Sequence, residues 1–194
     1  MSDPVQRLAE SGRGAYLRHL LALSRNDVRL RFGNVIPPES IAGYVEGIDL
    51  ENDAVFGVHD DALELVGAAH VGMSGDIAEL GVSVLPGHRG RGLGTALVAR
   101  ATEHARNRAV PRLFMHCLAE NTAMMHIARR AGMAIVVDSG DADAHVALPP
   151  ASAASIAGEY VSERVALYDY ALKAQIAAWR GINAALSGGG KERA

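Results

Sequence analysis

Between residues 82 and 95 an apolar strand runs into a basic, glycine-rich loop that opens directly into a helix. The loop reads Arg89-Gly90-Arg91-Gly92-Leu93-Gly94, and Thr95 begins a run of good helix formers that continues to Ala101. Glycines at 90, 92 and 94 let the backbone curl tightly without Cβ clashes. The helix N-terminus then presents a ring of N–H groups with a partial charge of about +0.5. Two guanidinium groups flank that ring, so the product is an anion cradle, suited above all to phosphate. Two nucleotide patterns fail to fit. A P-loop requires Gly-Lys-Ser/Thr after its spacer, and no such lysine is present. A dinucleotide fingerprint requires G-x-G-x-x-G after a first strand, whereas these glycines follow G-x-G-x-G in the middle of the chain.

The elements that must position this loop can be read on either side of it. Residues Ile77–Val84 form the strand that enters it, and Gly81 inside that strand suits a bulge or a splay. A splayed strand leaves backbone N–H and C=O groups that an amide-rich ligand can pair with. Upstream, Ala54–His59 and Leu63–Met73 read as a hairpin turning at Asp60 and Asp61. Helices are expected over Arg13–Leu23, whose apolar residues recur at helical spacing, and from Pro37, a residue tolerated in a first turn. Pro4–Ala9 suits a short edge strand. The basic stretch Ser24–Gly33 reads as a solvated connector or a basic lip over the site. Downstream, the helix runs to about Asn107, with Leu93, Leu97, Ala101 and Ala105 on one ridge. A strand follows at Arg112–Leu118. Asn121 caps a helix over Thr122–Ala131, and Gly132 stops it. The last strands are expected at Met133–Asp138 and His145–Leu148, separated by an acidic turn.

After Pro149 and Pro150 the pattern changes. Val161, Val165, Tyr168, Leu172, Ile176, Trp179, Ile182 and Leu186 step by three and four, an amphipathic stripe. It belongs to one long helix or to two broken near Gly181. Residues 1–150 therefore form one unit, residues 151–187 a helical extension, and residues 188–194 a flexible tail. The stripe suits a lid on the sheet or a homodimer seam.

With 194 residues, 49% apolar and 21% charged, the chain is long enough for one sizeable core. A net charge of −3 argues against nucleic-acid binding as the main role. Cys117 is the single cysteine and pairs with nothing internally, which fits a reducing compartment. No apolar run reaches the length of a membrane span, and the N-terminus lacks a signal-peptide core. Cytoplasmic location without membrane contact is the expectation.

The loop Arg89 to Gly94 matches Arg/Gln-x-x-Gly-x-Gly/Ala and resembles the pyrophosphate loop of the GNAT superfamily of acyl-CoA-dependent N-acetyltransferases. The segment from Glu120 and Asn121 to Gly132 and Met133 is similar to that family's Asn…Gly-Phe segment, with Met133 in the aromatic place. The resemblance covers about Leu63–Leu148. Ser24, Arg29, Arg31 and Phe32 are similar to the Arg-Phe stretch of bacterial protein-lysine acetyltransferase domains. The resemblance implies an α/β (α+β) GNAT fold. Its central mixed, twisted sheet is splayed at the acetyl-CoA strand and flanked by helices, here with a C-terminal amphipathic helical extension.

It also implies a site. Acetyl-CoA, the cosubstrate, would lie against the splayed strand with its pantetheine amides on the backbone of Val82 and Val84. Its pyrophosphate would sit on Arg89, Gly90, Arg91, Gly92, Leu93, Gly94 and Thr95, with Asn121 near the pantetheine arm. A primary amine, on a small molecule or a protein lysine, would attack the thioester directly; no metal is called for. Such an amine is mostly protonated at neutral pH, and removing its proton costs about 4–5 kcal/mol, so a general base is useful. Glu79, preceding the splay, is the first candidate and His70 on the neighbouring strand the second; His116, His126 and Cys117 are weaker. The family often carries a tyrosine seven residues after the asparagine to protonate the leaving thiolate. Here that position is Ala128. A catalytically weak acyl-CoA sensor is therefore the alternative reading.

Overall fold

Seven strands make one mixed sheet, ordered β1 (Gln6–Arg7), β2 (Ala54–His59), β3 (Leu65–Ser74), β4 (Ile77–Val84), β5 (Arg112–Leu118), β7 (Asp141–Ala147) and β6 (Ala134–Asp138). The computed structural model describes residues 3–188. Neighbouring strands are antiparallel except β4 and β5, which run parallel. Period-two alternation sorts β4 between two layers. Ala78, Leu80 and Val82 enter the larger core, leaving Glu79, Gly81 and Ser83 on the opposite face.

That larger core is closed by α4 (Leu93–Asn107) and α5 (Thr122–Arg130). Leu97, Ala101 and Ala105 of α4 are all 0% exposed. Their i, i+4, i+8 spacing puts one narrow ridge against the sheet, and the two alanines let the helix approach closely. The other face is covered by α1 (Arg13–Leu21), α2 (Arg25–Phe32) and α3 (Pro38–Glu46), whose Tyr16, Leu20, Val28, Ile41 and Val45 pack on Val55, Leu65 and Ala68.

Three local readings change. The basic stretch after Ser24 is a helix. The Ser24 side chain caps it by accepting from the Asp27 amide at 3.2 Å, and Gly33 ends it at φ 77°. Leu63 sits at φ 64° in the β2–β3 turn, so β3 starts at Leu65. The acidic turn near residue 140 is only two residues long. Ser139 and Gly140 take φ values of 50° and 98°, the twist that joins hairpin strands. Asp141 and Asp143 are then outward-facing strand residues, while Ala142 and Ala144 are buried.

The C-terminal extension is one helix, α6 (Ala153–Gly188), uninterrupted at Gly181. Gly188 is thus helical, and the rest of the expected tail lies outside the described residues. The apolar stripe does not pack on the sheet: Val161, Tyr168 and Trp179 are 59%, 74% and 69% exposed. Apart from buried Ala166 and the Tyr170 ring, 4.9 Å from His59, what holds α6 is polar. Arg100 of α4 donates to Glu159 at 2.9 Å and to Glu163 at 3.0 Å, and Asn107 donates to Glu159 at 2.7 Å. Among the described residues no helix is long and apolar enough to cross a membrane.

Candidate active site

The sheet opens at β4. Ile77, Ala78 and Glu79 pair with Arg112, Leu113 and Phe114 of β5, and the two strands part beyond Glu79. On its other edge β4 stays paired with β3 through Val84. Just past the strand, the Leu85 amide donates to the Val66 carbonyl at 2.9 Å. Antiparallel strands alternate between hydrogen-bonded and non-bonded pairs. Counting back from Leu85, the odd residues therefore bond to β3, and Val82 and Val84 turn their amides and carbonyls toward the opening. The Val84 carbonyl is already engaged there, accepting from Arg89 Nε at 3.0 Å.

The glycine loop forms the end of this opening. After a short 3-10 turn at Pro86–His88, Gly90 and Gly92 take φ values of 75° and 82°, conformations that side chains resist. Gly92 is the N-cap of α4 and brings no capping side chain. The first intrahelical bond runs from the Ala96 amide to the Gly92 carbonyl at 3.0 Å, which leaves the amides of Leu93, Gly94 and Thr95 without helical acceptors. A Cβ at Gly94 would come within 2.8 Å of Ile127 on α5, so that glycine permits the close approach of α4 and α5. Between β4, the loop and α5 lies a cleft of about 490 Å³, which Val82, Val84, Arg89, Gly92, Thr95 and Asn121 help to line. A strand edge with free amides, an uncapped helix N-terminus and a long cleft between them fit a phosphate-bearing, amide-containing ligand.

Counter-charges already occupy the loop arginines. Arg89 pairs with Asp27 of α2 at 2.7 Å, and Arg91 with Asp3 at 3.1 Å. Burial opposes the charge on Asp27. Hydrogen bonds from Ser24 and Arg89 outweigh that effect and hold its carboxyl below the usual range. The same helix reaches the far side of the opening. Arg29 pairs with Glu120, and Asn121 Nδ2 donates to the Leu30 carbonyl at 3.5 Å. Asn121 Oδ1 meanwhile caps α5 by accepting from the Met124 amide at 3.2 Å. Helix α2 therefore straps the two diverging strand ends together across the cleft.

Beneath α2 runs a polar relay. Arg31 lies flat on β4, where a Cβ at Gly81 would overlap its guanidinium. Its Nη2 donates to the Tyr44 hydroxyl at 2.9 Å. Tyr44 and His70 Nδ1 are 2.7 Å apart, and His70 Nε2 lies 3.2 Å from Asp53. The carboxylate accepts only, so Nε2 carries the hydrogen, and Nδ1 accepts from Tyr44. Burial and then the Arg31 charge lower the His70 pKa, which favours the neutral ring. A second histidine supports the floor: His19 bridges the Leu65 carbonyl at 2.8 Å and Ser83 Oγ at 2.9 Å. Burial pushes its pKa down to about 4.

The sequence candidates thus fall into two groups. Val82, Val84, Arg89, Gly90, Gly92, Leu93, Gly94, Thr95 and Asn121 line one cleft, and Arg91 stands outside its lining, paired with Asp3. Glu79 and His70 sit diagonally on the α2 face, where Glu79 faces Gly72 and His70 faces Gly81. Glu79 is exposed, whereas both ring nitrogens of His70 are committed within the protein. His116 lies on the far half of the sheet, 2.8 Å from Asp143, and His126 lines the cleft. Cys117 is buried, and burial together with Asp143 pushes its thiol pKa up. Asp27, Tyr44 and Asp53 join the site without any catalytic or binding motif around them in the sequence. The Ser24-x-x-Asp27 capping pattern was the available signal for α2; nothing local marked Tyr44 or Asp53.

The model of the acetyltransferase (GNAT) family matches residues 25–133. Solved structures share the fold. The GNAT domain of S. lividans PAT aligns with TM-score 0.64 at 18% identity, covering 74% of this chain and 89% of that one. Ribosomal-protein-alanine N-acetyltransferase from Brucella melitensis aligns with TM-score 0.59 at 23% identity, covering 74% and 99%. The paia N-acetyltransferase from Thermoplasma acidophilum, in complex with coenzyme A, aligns with TM-score 0.57 at 14% identity, covering 76% and 99%. No curated protein matches the sequence significantly.

Proposed function

The chain belongs to the acetyltransferase (GNAT) family, and we propose that it transfers the acetyl group of acetyl-CoA to a primary amine of a small molecule or a protein lysine. The observation that carries this reading is the open edge of β4. Its Val82 and Val84 amides lead straight to the uncapped α4 N-terminus, with Arg89 and Arg91 alongside. Bound there, acetyl-CoA supplies an activated acyl carbon. Val82 and Val84 hold the pantetheine amides, residues 89–95 and their arginines hold the pyrophosphate, and Asn121 orients the arm between them.

The remaining chemistry falls to the α2 face. The amine lone pair attacks the acyl carbon, a C–N bond replaces the C–S bond, and the amine proton leaves through water to Glu79. That carboxylate suits the role because it is exposed beside the splay and His70 cannot release either nitrogen without breaking the relay. His70 is then a positioning residue, acting through Tyr44. Ala128 is 0% exposed in the core, so α5 offers no hydroxyl there. The thiolate leaves unassisted, which the modest pKa of a thiol, about 8.5 for cysteine, allows. Residues 1–150 make up the transfer unit in this account, with 151–187 its helical extension.

Thiol release from acetyl-CoA across a broad amine and lysine-peptide panel tests the assignment. Release with at least one acceptor, cut about 100-fold by Glu79→Gln, is the expected result. Silence across the panel while CoA still stabilises the protein would favour the acyl-CoA sensor, the reading that the buried Ala128 keeps open.

A further inference from the structure

Arg31 is a cation in the wrong place for a structural residue. It lines the cleft, lies on the β4 floor at Gly81, and is stacked 4.8 Å from the Phe32 ring and 5.7 Å from the Tyr44 ring. No described carboxylate lies within ion-pair distance of it. It donates to the Tyr44 hydroxyl, and its Nε is buried without a partner. The charge cannot be shed, because a guanidinium stays protonated in proteins. The counter-charge at the end of the relay, on Asp53, is separated from it by Tyr44 and His70.

A half-buried cation with no carboxylate partner and its Nε shut off from water is favourably placed to meet an incoming anion. Here the stacking rings and Tyr44 hold the fork in one orientation before any ligand comes. A planar, preoriented fork matches a carboxylate bidentately and discriminates against a neutral amide. Gly81 places it one residue from Val82, beside the acyl end of the cleft rather than at the phosphate loop.

We propose that Arg31 binds a substrate carboxylate next to the reacting centre. This rests on the acyl-transfer reading and narrows its substrates to carboxylate-bearing ones. The carboxylate belongs either to the amine acceptor, which is then amino-acid-like with Glu79 drawing its ammonium end, or to a dicarboxylic acyl group on CoA. An interior lysine side chain offers no such group of its own.

Two experimental arms separate these sources. In the first, α-amino acids are compared with their α-carboxamides using acetyl-CoA as donor. In the second, succinyl-CoA is compared with acetyl-CoA using the carboxamides as acceptors. Thiol release is measured alongside the melting temperature with CoA and each acceptor. The expected result is a preference of about 30-fold in kcat/KM for the carboxylate in one arm. Arg31→Gln abolishes it, and Arg31→Lys, keeping charge but losing the fork, retains only part. No carboxylate preference in either arm, or a preference that Arg31→Gln retains, overturns the proposal. A purely structural Arg31 would lower the melting temperature in both variants and leave the carboxylate-to-carboxamide ratio unchanged. Should Arg31→Gln fail to fold, the wild-type ratio and Arg31→Lys still decide. If no acceptor turns over, the melting temperatures decide. CoA stabilisation with no further rise from amino acids or succinyl-CoA sinks the Arg31 assignment alone, whereas no CoA stabilisation sinks the acyl-transfer reading with it.

Discussion

Two arginines in this molecule share several local features and differ in counter-charge and in exposure, Arg100 being buried and Arg31 half-buried at the cleft. Arg100 and Arg31 each lie near an aromatic ring, 4.9 Å from Phe56 and 4.8 Å from Phe32, and each leaves Nε buried without a partner. Arg100, at the seam of α4 and α6, is met by three carboxylates, Glu159 at 2.9 Å, Glu163 at 3.0 Å and Glu103 at 4.0 Å. Arg31, under α2 at the splay, is met by none. A neighbouring ring and a partnerless Nε alone therefore do not distinguish a structural cation from a ligand-binding one. Direct counter-charge does: a cation paired with carboxylates of the protein itself is satisfied, while one whose relay reaches a carboxylate, Asp53, only through Tyr44 and His70 has room for an anion.

The largest effect should come from breaking the closed network. Glu159→Gln leaves Arg100 without one counter-ion and costs about 3–5 kcal/mol. The expected fall in melting temperature is about 10 °C, with substrate preference untouched. The network also fixes a pH dependence. Burial tends to raise the Glu159 pKa, but hydrogen bonds from His104, Asn107 and Arg100 prevail and lower it from the ordinary 4.5. A lowered folded-state pKa means that this stabilisation is fully present above pH 4.5 and drains away as pH falls below it. Urea unfolding across that range should show the slope in the wild type, and a weaker one in Glu159→Gln.

A smaller loss should follow from reversing the loop cations. Arg89→Glu with Arg91→Glu should weaken CoA binding about 100-fold, or about 2.7 kcal/mol, and remove CoA-induced thermal stabilisation while the free protein still folds. An unchanged CoA shift would overturn the pyrophosphate assignment and leave the two arginine environments without their functional contrast.

Arg31→Gln should move stability least. No carboxylate is orphaned, so the melting temperature should stay within about 3 °C of the wild type, about 1 kcal/mol. Removing its charge should also move the His70 titration upward, toward the ordinary 6.5, because Arg31 is the second cause after burial of its lowered pKa. Imidazole NMR reads this directly; an unmoved His70 would mean that the relay does not couple the two.

Much of the frame was legible in the chain. The strand, glycine loop and helix from Ile77 to Asn107 announce themselves locally, because φ-permissive glycines and 3.6-residue apolar spacing are written in adjacent positions. Asn121 and Gly132 mark the ends of α5 in the same way. The polar relay was not legible, because Arg31, Tyr44, His70 and Asp53 come from α2, α3, β3 and the turn before β2. Only the tertiary packing of α2 on β4 brings them into line. The stripe on α6 illustrates the opposite limit. Its periodicity predicted a helix correctly, yet periodicity says nothing of what covers the apolar face, and Arg100, Asn107 and Glu159 rather than Val165 or Leu172 anchor it.

Backbone amide exchange, followed by NMR with and without CoA, bears most directly on the acyl-CoA site. Slowed exchange confined to Val82, Val84 and the loop amides from Gly90 to Thr95 is the predicted result. Protection that skips β4 and the α4 N-terminus, or no protection at saturating CoA, would contradict the account.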